Sequence, residues 1–389
     1  MDEEKRALHL TPEFPPIVGG IGDYVSGLAD GLGPLGWNVR VVTSIAAAAA
    51  QRSRLSISPA LAFYDRRMLG IVAGEVRDFR PHVVHVHYQS SMYLGDPAVC
   101  LVPLALRRRG LHVPVVTTLH DMRRPQAAPM LIRRATFETL LYTSNHLIVS
   151  GDAELRGLAR RPGIRARSTM LPIGSNITVH FMDPGRGRAV RAAAGVDAST
   201  FLLMYFGLVR EGKGLDALLE AIALLRRKDR LVELLIAGDG AAFADYRDRL
   251  VALGRDLGLG DAVRFLGKVP ESEVSELLQA ADLGVLPMEG GASTGHTTVF
   301  AAMSHGLPLL TTRGPATSPL LSDGAVALVP APPKAAALAV AIEGLMRRPE
   351  HRAAMAAKGR DLAARYSRSA IAGQVAAIYS GVQRKDPMG

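Results

Sequence analysis

The sequence has a single cysteine, Cys100, in 389 residues. An internal disulfide framework is excluded, and the composition fits a reducing compartment. Cys100 lies in the apolar run 98–105 and reads as core packing rather than as a nucleophile. No run of eighteen uninterrupted apolar residues occurs, so no membrane-spanning helix is expected. The first residues, Met1-Asp-Glu-Glu-Lys-Arg6, are acidic and unlike a signal peptide, which points to a cytoplasmic protein. There is no Asp-x-Asp motif and no evident His/Cys ligand cluster, so neither a metal nor another cofactor is expected. No nucleic-acid-binding motif accompanies the basic residues, and nucleic acid is not an expected partner.

What is present is enough apolar residue, 48%, to fill the cores of about two domains. The net charge of +10 is uneven. Residues 1–180 hold 21 Lys+Arg against 14 Asp+Glu, and residues 181–389 hold 25 against 22. Arg107, Arg108, Arg109, Arg123, Arg124, Arg133 and Arg134 supply much of the excess. A solvated basic surface is one reading. Peripheral contact with an anionic membrane, at the inner face, or an anionic acceptor is the other.

Short apolar strands alternate with helical stripes along the whole chain. Arg6 to Thr11, Val39 to Thr43, His82 to His87, Pro114 to Thr118 and His146 to Ser150 read as strands. Val25, Leu28, Ala29 and Leu32 repeat at helical spacing. The run Ala46 to Ala50 reads as a loop or helix start. Glycine and proline between 172 and 187 mark a linker, after which the alternation resumes. Strands are expected at 201–207, 231–238, 262–267, 282–287, 307–312 and 325–330, and Leu215, Leu218, Leu219, Ile222 and Leu225 form the clearest helical stripe. A last helix spans 367–384 with no strand after it. This is the pattern of an α/β protein with parallel sheets covered on both faces.

Two segments carry chemistry. Tyr205-Phe-Gly-Leu-Val-Arg-Glu-Gly-Lys-Gly214 and Pro287 to Met303 each run from a strand through a glycine-rich loop into a helix. Such junctions aim unpaired N–H groups and the positive end of a helix dipole at one point. The first adds the cation Lys213, and the second adds Thr297 and Thr298 in the first helical turn. A diphosphate held between them is the natural ligand, and a diphosphate is the leaving group of a nucleotide sugar.

Several motifs then resemble one family. Pro16-Ile-Val-Gly-Gly-Ile-Gly-Asp-Tyr-Val25, Thr118-Leu-His-Asp121, Gly207 with Lys213-Gly214, Ile236-Ala-Gly-Asp-Gly240, Phe265-Leu-Gly267 and Ala302-Met-Ser-His-Gly-Leu-Pro308 are similar to the retaining family 4 glycosyltransferases of the GT-B fold. The resemblance runs from about residue 9 to 383. It implies two Rossmann-like domains facing a central cleft: 1–180 for the acceptor, with helix 368–389 packing back on it, and 181–367 for the nucleotide sugar.

The resemblance also assigns residues. Gly19 and Gly20 would approach the donor diphosphate and the acceptor. His120 would touch the transferred sugar. Lys213 would neutralise the diphosphate, assisted by Arg210, because Leu208 stands where the family usually has arginine. Gly238 would shape the nucleotide pocket, and the backbone near Val269 would hold the base. Gly295, His296, Thr297 and Thr298 form the phosphate loop. The family's paired glutamates fall at Ser293 and Ala301, so Ser293 and Glu289 are the candidates for sugar contact. The resemblance includes a subset of members that lacks these glutamates. His85 and His87, alternating on one strand, read as structural, with His87 lining the acceptor side as the alternative.

The implied activity is sugar transfer from a nucleoside diphosphate to a hydroxyl or amine, by a metal-independent front-face route. The acceptor class stays open among natural products, glycans and lipid-linked molecules. The alternatives are a pseudo-glycosyltransferase or nucleotide-sugar epimerase on this fold, and a non-catalytic nucleotide-sugar-binding subunit.

Overall fold

The structure, a computed structural model, describes residues 4–384 except Val18, Ala48, Ala49, Ser53, Arg123, Pro125, Pro184 and Ala316. The acidic first three residues, part of the alanine run and Arg123 therefore lie outside the described residues. The chain divides into two compact units, Met1–Ile173 with Tyr366–Gly389, and Gly174–Arg365.

The first unit contains β1 (Lys5–Leu10), α1 (Gly20–Leu32), β2 (Trp37–Ser44), β3 (Ala50–Arg52), β4 (Leu55–Leu61), α2 (Met68–Phe79) and β5 (Val83–Tyr88). It continues with α3 (Val102–Arg108), β6 (Val115–Leu119), α4 (Met130–Thr143), β7 (His146–Val149), α5 (Asp152–Ala159) and β8 (Ser168–Met170). The strands form one sheet in the order β3-β4-β2-β1-β5-β6-β7-β8. All pairings are parallel except β3 with β4. That antiparallel pair departs from the all-parallel expectation. β4 is hidden in the sequence because Ser56, Ser58 and Pro59 interrupt its apolar pattern. Pro59 lies beyond the β3 pairing, where a missing N–H is tolerated.

Both faces of this sheet are covered. On one, Leu8, Leu10, Val84, Val86 and Leu119 pack with α2, α3 and α4. On the other, Ala7, Val39, Val41, Val83, Val116 and Ile148 pack with α1 and the chain's last helix. The α1 stripe Val25, Leu28, Ala29 and Leu32 is buried as its spacing predicts.

The second unit contains α6 (Arg186–Ala193), β9 (Phe201–Phe206), α7 (Leu215–Arg226), β10 (Val232–Ala237), α8 (Ala244–Asp256), β11 (Val263–Gly267) and α9 (Glu271–Ala280). Then come β12 (Leu283–Leu286), α10 (Thr297–Ser304), β13 (Leu309–Arg313), β14 (Ala327–Pro330), α11 (Ala335–Met346) and α12 (Pro349–Ala364). The helix α13 (Arg368–Arg384) belongs to the first unit. The second sheet is wholly parallel, in the order β11-β10-β9-β12-β13-β14. The α7 stripe, Leu215, Leu218, Leu219, Ile222 and Leu225, is fully buried. In each sheet the strand order reverses beside the first strand of the unit, between β1 and β5 and between β9 and β12. Crevices outside the carboxyl ends of the strands at such points are where open α/β sheets bind ligands.

Candidate active site

In the second unit, β9 and β12 are neighbours, so the two glycine-rich loops leave the same edge of the sheet side by side. Backbone hydrogen bonds join four successive loops there. Gly238 N–H donates to the Gly267 carbonyl (2.9 Å), Val209 N–H to Asp239 (3.1 Å) and Glu289 N–H to Gly212 (3.1 Å). Two glycines make this close fit possible. A Cβ on Gly238 would lie 1.8 Å from the Gly207 carbonyl oxygen, and one on Gly214 would lie 2.0 Å from that of Pro287. Gly214 also has φ +68°, in the left-handed region.

The loops deliver two helix starts. Gly214 precedes α7 and His296 precedes α10, and among the described residues no side chain caps either helix. Their leading N–H groups are therefore available to a ligand, with the dipole behind them. Lys213 stands at this edge, half-buried. Burial first, and Arg210 second, bring its ammonium down to about 8. Arg210 is oriented by the Glu211 carbonyl (3.0 Å). His296 is held down to about 4 by burial, then by the charges of Lys213 and Arg210, so it is neutral at pH 7. Its Nδ1 accepts the Ser293 N–H (3.0 Å), which leaves the ring proton on Nε2 as a donor. Thus Lys213, Arg210 and His296 share one electrostatic neighbourhood, although 83 residues separate Lys213 from His296 in sequence.

The remaining assigned residues of this unit differ in placement. Thr297 and Thr298 are half-buried in the first turn of α10, and the Gly295 N–H donates to the Ser293 hydroxyl (3.3 Å). Glu289 is exposed, with its backbone tied to Gly212. Val269 follows β11, two strands from β9. Beside Arg210 lies a concavity lined by Glu211, Phe243, Tyr246 and Arg249. No local motif in the chain marks these residues in advance.

The first unit answers differently at its glycine loop. The Glu13 carboxylate accepts N–H bonds from Ile21 (2.9 Å) and Gly22 (2.8 Å), so the start of α1 already holds an anion. A Cβ on Gly19 would fall 2.0 Å from the Glu13 carboxyl carbon, whereas Gly20 has open space. The space beside Gly19 is thus taken by a side chain of the chain itself. His120 follows β6, and its N–H continues the strand pairing to the Tyr88 carbonyl (2.9 Å). Burial lowers its imidazole to about 3, and Tyr24 packs edge-on against it.

One correction concerns histidine. No His cluster is evident from linear spacing, yet His9, His85 and His87 converge in the core, with one ring nitrogen of each within 4.8 Å of the others. Parallel pairing causes this: His9 is the register partner of His85 on the adjacent strand, and His87 lies two residues on, on the same face. All three are fully buried; His9 and His87 share a hydrogen bond, and His85 bonds the Tyr379 and Thr118 hydroxyls. The paired histidines on β5 are visible in sequence, whereas the register that adds His9 is not.

Two family models cover most of the chain. Residues 19–174 match the "Glycosyl transferase 4-like domain" and residues 188–362 match "Glycosyl transferases group 1". The chain is a family 4-like glycosyltransferase of the GT-B fold. Among its relatives, the D-inositol 3-phosphate glycosyltransferase 2 of Catenulispora acidiphila is 25% identical over 77% of this chain and 70% of its own length. The alpha-D-kanosaminyltransferase of Streptomyces kanamyceticus is 28% identical over 76% of each. In fold, the chain is similar to sucrose-phosphate synthase from Thermosynechococcus elongatus (TM-score 0.77, 20% identity, 98% of this chain and 100% of that one). It is similar also to Anabaena HepE in complex with UDP and glucose (TM-score 0.73, 18% identity, 97% and 100%).

In this glycosyltransferase the positions that the resemblance sets at the family's arginine and glutamates have local structural settings. Leu208 is exposed, and its carbonyl accepts the Tyr205 hydroxyl (2.9 Å). Ala301 is fully buried inside α10, while Ser293 is half-buried against His296. Among the described residues no helix is long and apolar enough to cross a membrane.

Proposed function

We propose that this glycosyltransferase takes its sugar from a nucleoside diphosphate and passes it, with retention, to a hydroxyl or amine acceptor without a metal. One observation carries the reading: two uncapped helix starts rise from adjacent strands beside the half-buried Lys213 and its neighbour Arg210, and no carboxylate pairs with that lysine among the described residues. An anion of high charge density completes such a set. The Lys213 ammonium, the Arg210 guanidinium, the His296 Nε2–H and the N–H groups of Thr297 and Thr298 face the charge that grows as the sugar–phosphate bond breaks. The acceptor oxygen or nitrogen attacks the anomeric carbon from the face the diphosphate leaves, and a leaving phosphate oxygen takes the acceptor proton. Glu289 and Ser293 are the sugar contacts of the second unit, and the backbone at Val269 and Gly238 holds the nucleoside. With Glu13 at the start of α1, we assign the diphosphate to the second unit and Gly19 and Gly20 to the shape of the acceptor loop. The UDP in complex with HepE supports a UDP-type donor, and the inositol phosphate in the relatives' names supports a polyhydroxylated acceptor.

The test is Lys213→Ala. Comparable electrostatic donors contribute roughly 3–4 kcal/mol to a transition state, so turnover should fall on the order of a hundredfold or more while the melting temperature holds. Transfer by the unmodified enzyme should persist in excess EDTA. Full turnover in the variant, or loss in EDTA restored by magnesium or manganese, overturns the reading.

A peripheral membrane contact has its own support. Met130 and Leu131, at the start of α4, are 75% and 78% exposed beside Arg133 and Arg134. Apolar and cationic side chains together suit an anionic interface. Flotation with anionic but not with neutral vesicles is expected, and Leu131→Glu should abolish it.

A further inference from the structure

The buried histidines form a continuous chain with two hydroxyls, all within the first unit. Thr118 Oγ1 meets His85 Nε2 (2.7 Å), and His85 Nδ1 meets the Tyr379 hydroxyl (2.6 Å). Tyr379 meets His9 Nε2 (3.0 Å), His9 Nδ1 meets His87 Nε2 (3.2 Å), and His87 Nδ1 meets His120 Nε2 (3.3 Å). The far nitrogen, His120 Nδ1, is out of contact with solvent and has no hydrogen-bond partner. A buried polar atom left in that condition calls for an explanation.

Proton counting supplies one. Burial holds His9 and His120 near 3 and His85 and His87 well below their ordinary value, so each imidazole is neutral and carries one N–H. Each hydroxyl also carries one proton. Six groups thus bring six protons to five contacts, and every contact needs one. Three arrangements satisfy all five. In the first, every group donates toward His120 except the last, which keeps its proton on Nδ1. In the second, every group donates the other way and the spare proton is the Thr118 O–H. In the third, the Tyr379 oxygen accepts from both His85 and His9 and its own O–H is the spare. Thr118 is 3% exposed and Tyr379 fully buried, and their side-chain partners among the described residues are those of the chain itself. The second and third arrangements therefore each strand a hydroxyl proton in the core in addition to leaving His120 Nδ1 bare. The first strands nothing but the His120 Nδ1–H.

We propose that Thr118, His85, Tyr379, His9 and His87 are positioning residues that lock His120 as the Nδ1–H tautomer, so that it presents a fixed donor to an oxygen atom of the transferred sugar. The lock is a property of the first unit alone; the sugar contact rests on the function proposed above. The site suits it, because β1 and β5 meet at the strand-order reversal and His120 follows β6 at the same carboxyl edge. Tyr379 comes from α13, so the end of the chain sets the chemistry of a residue 259 positions earlier.

The experiment is nitrogen NMR of the full-length protein labelled at histidine, with His120→Gln used for assignment. His120 should show a protonated Nδ1 and a bare Nε2. Thr118→Val removes the terminal donor, and Tyr379→Phe cuts the chain in the middle with little change of shape. In both, the two proton directions become equally satisfied, so His120 should become a mixture of tautomers, and donor KM should rise about threefold to tenfold with a smaller change in kcat. A protonated Nε2 in the wild type, a tautomer indifferent to both substitutions, or an unmoved KM overturns the proposal. So does a stoichiometric metal in the purified chain, since it would occupy the nitrogens that hold the protons. Failure of the donor reading shows elsewhere, as full activity in Lys213→Ala with the His120 spectrum unchanged.

Discussion

At the scale of the residue, Lys213 shows how environment and role are linked. An ordinary lysine stays charged to pH 10 and beyond. Here burial and the neighbouring Arg210 lower the ammonium to about 8, so Lys213 partly neutralises within the working range. A bound diphosphate favours the charged form and raises that value. Binding must then take up a proton wherever the free lysine is partly neutral, and affinity must fall as pH rises through 8. Calorimetric titration of UDP between pH 7 and 9 should show this weakening, with proton uptake visible from the dependence on buffer ionisation enthalpy. The pH dependence should vanish in Lys213→Ala. Equal affinity at pH 7 and pH 9 in the wild type would argue that Lys213 does not meet the phosphate. The opposite lesson comes from Gly19. The sequence presents it as room for a ligand, but the structure fills that room with Glu13.

At the scale of the element, the helix starts divide by what caps them. The N–H groups of α1 are occupied by an internal carboxylate, whereas α7 and α10 begin without a side-chain cap. The eight residues of α10 make a weak dipole by length, so its contribution rests on the first-turn N–H groups themselves. Thr298 separates the backbone from the side chain in this role. Its Cγ2 methyl is turned to Gly207, 3.3 Å from where a Cβ there would stand. Thr298→Val keeps that methyl and the N–H but deletes the hydroxyl. If the hydroxyl bonds a phosphate oxygen, UDP affinity should fall by about 1.5–3 kcal/mol, the range for a hydrogen bond to a charged group. A titration showing no change assigns the whole contact to the backbone.

At the scale of the whole molecule, the first unit is built from both ends of the chain. Ile371, Ala372, Val375, Tyr379 and Val382 of α13 are buried against the face formed by β1, β5, β6 and α1. At Gly31 of α1 the approach is so close that a Cβ would lie 2.8 Å from that of Ala372. Ending the chain at Arg365 removes this cover. Burial of each large apolar side chain is worth about 1.5–3 kcal/mol, so the first unit should lose on the order of 5 kcal/mol or more and melt early. UDP affinity should survive wherever the second unit remains folded, because Lys213, His296 and the α7 and α10 starts all lie within Gly174–Arg365. Thermal unfolding followed with and without UDP measures both. An unchanged first transition would remove α13 from the core, and loss of UDP binding at a temperature where the second unit is intact would move the donor site.

Most of the strand and helix alternation was legible in the amino-acid sequence, because buried parallel strands read as short apolar runs and covering helices as 3.6-residue stripes. The glycine loops and Lys213 were legible for the same local reason: a strand, a glycine turn and a helix start are contiguous in the chain. The hairpin of β3 and β4 was not, since Ser56, Ser58 and Pro59 break the apolar pattern at the sheet's periphery. Nor were the Glu13 carboxylate on α1, the joining of Gly212 to Glu289, and the hydrogen-bonded chain from Thr118 to His120. Each depends on strand order and register or on how a loop folds back, which set residues far apart in the chain within hydrogen-bond distance. His9, His87 and Tyr379 are ordinary residues in their own segments, and only the packing of β1, β5 and α13 makes them one network.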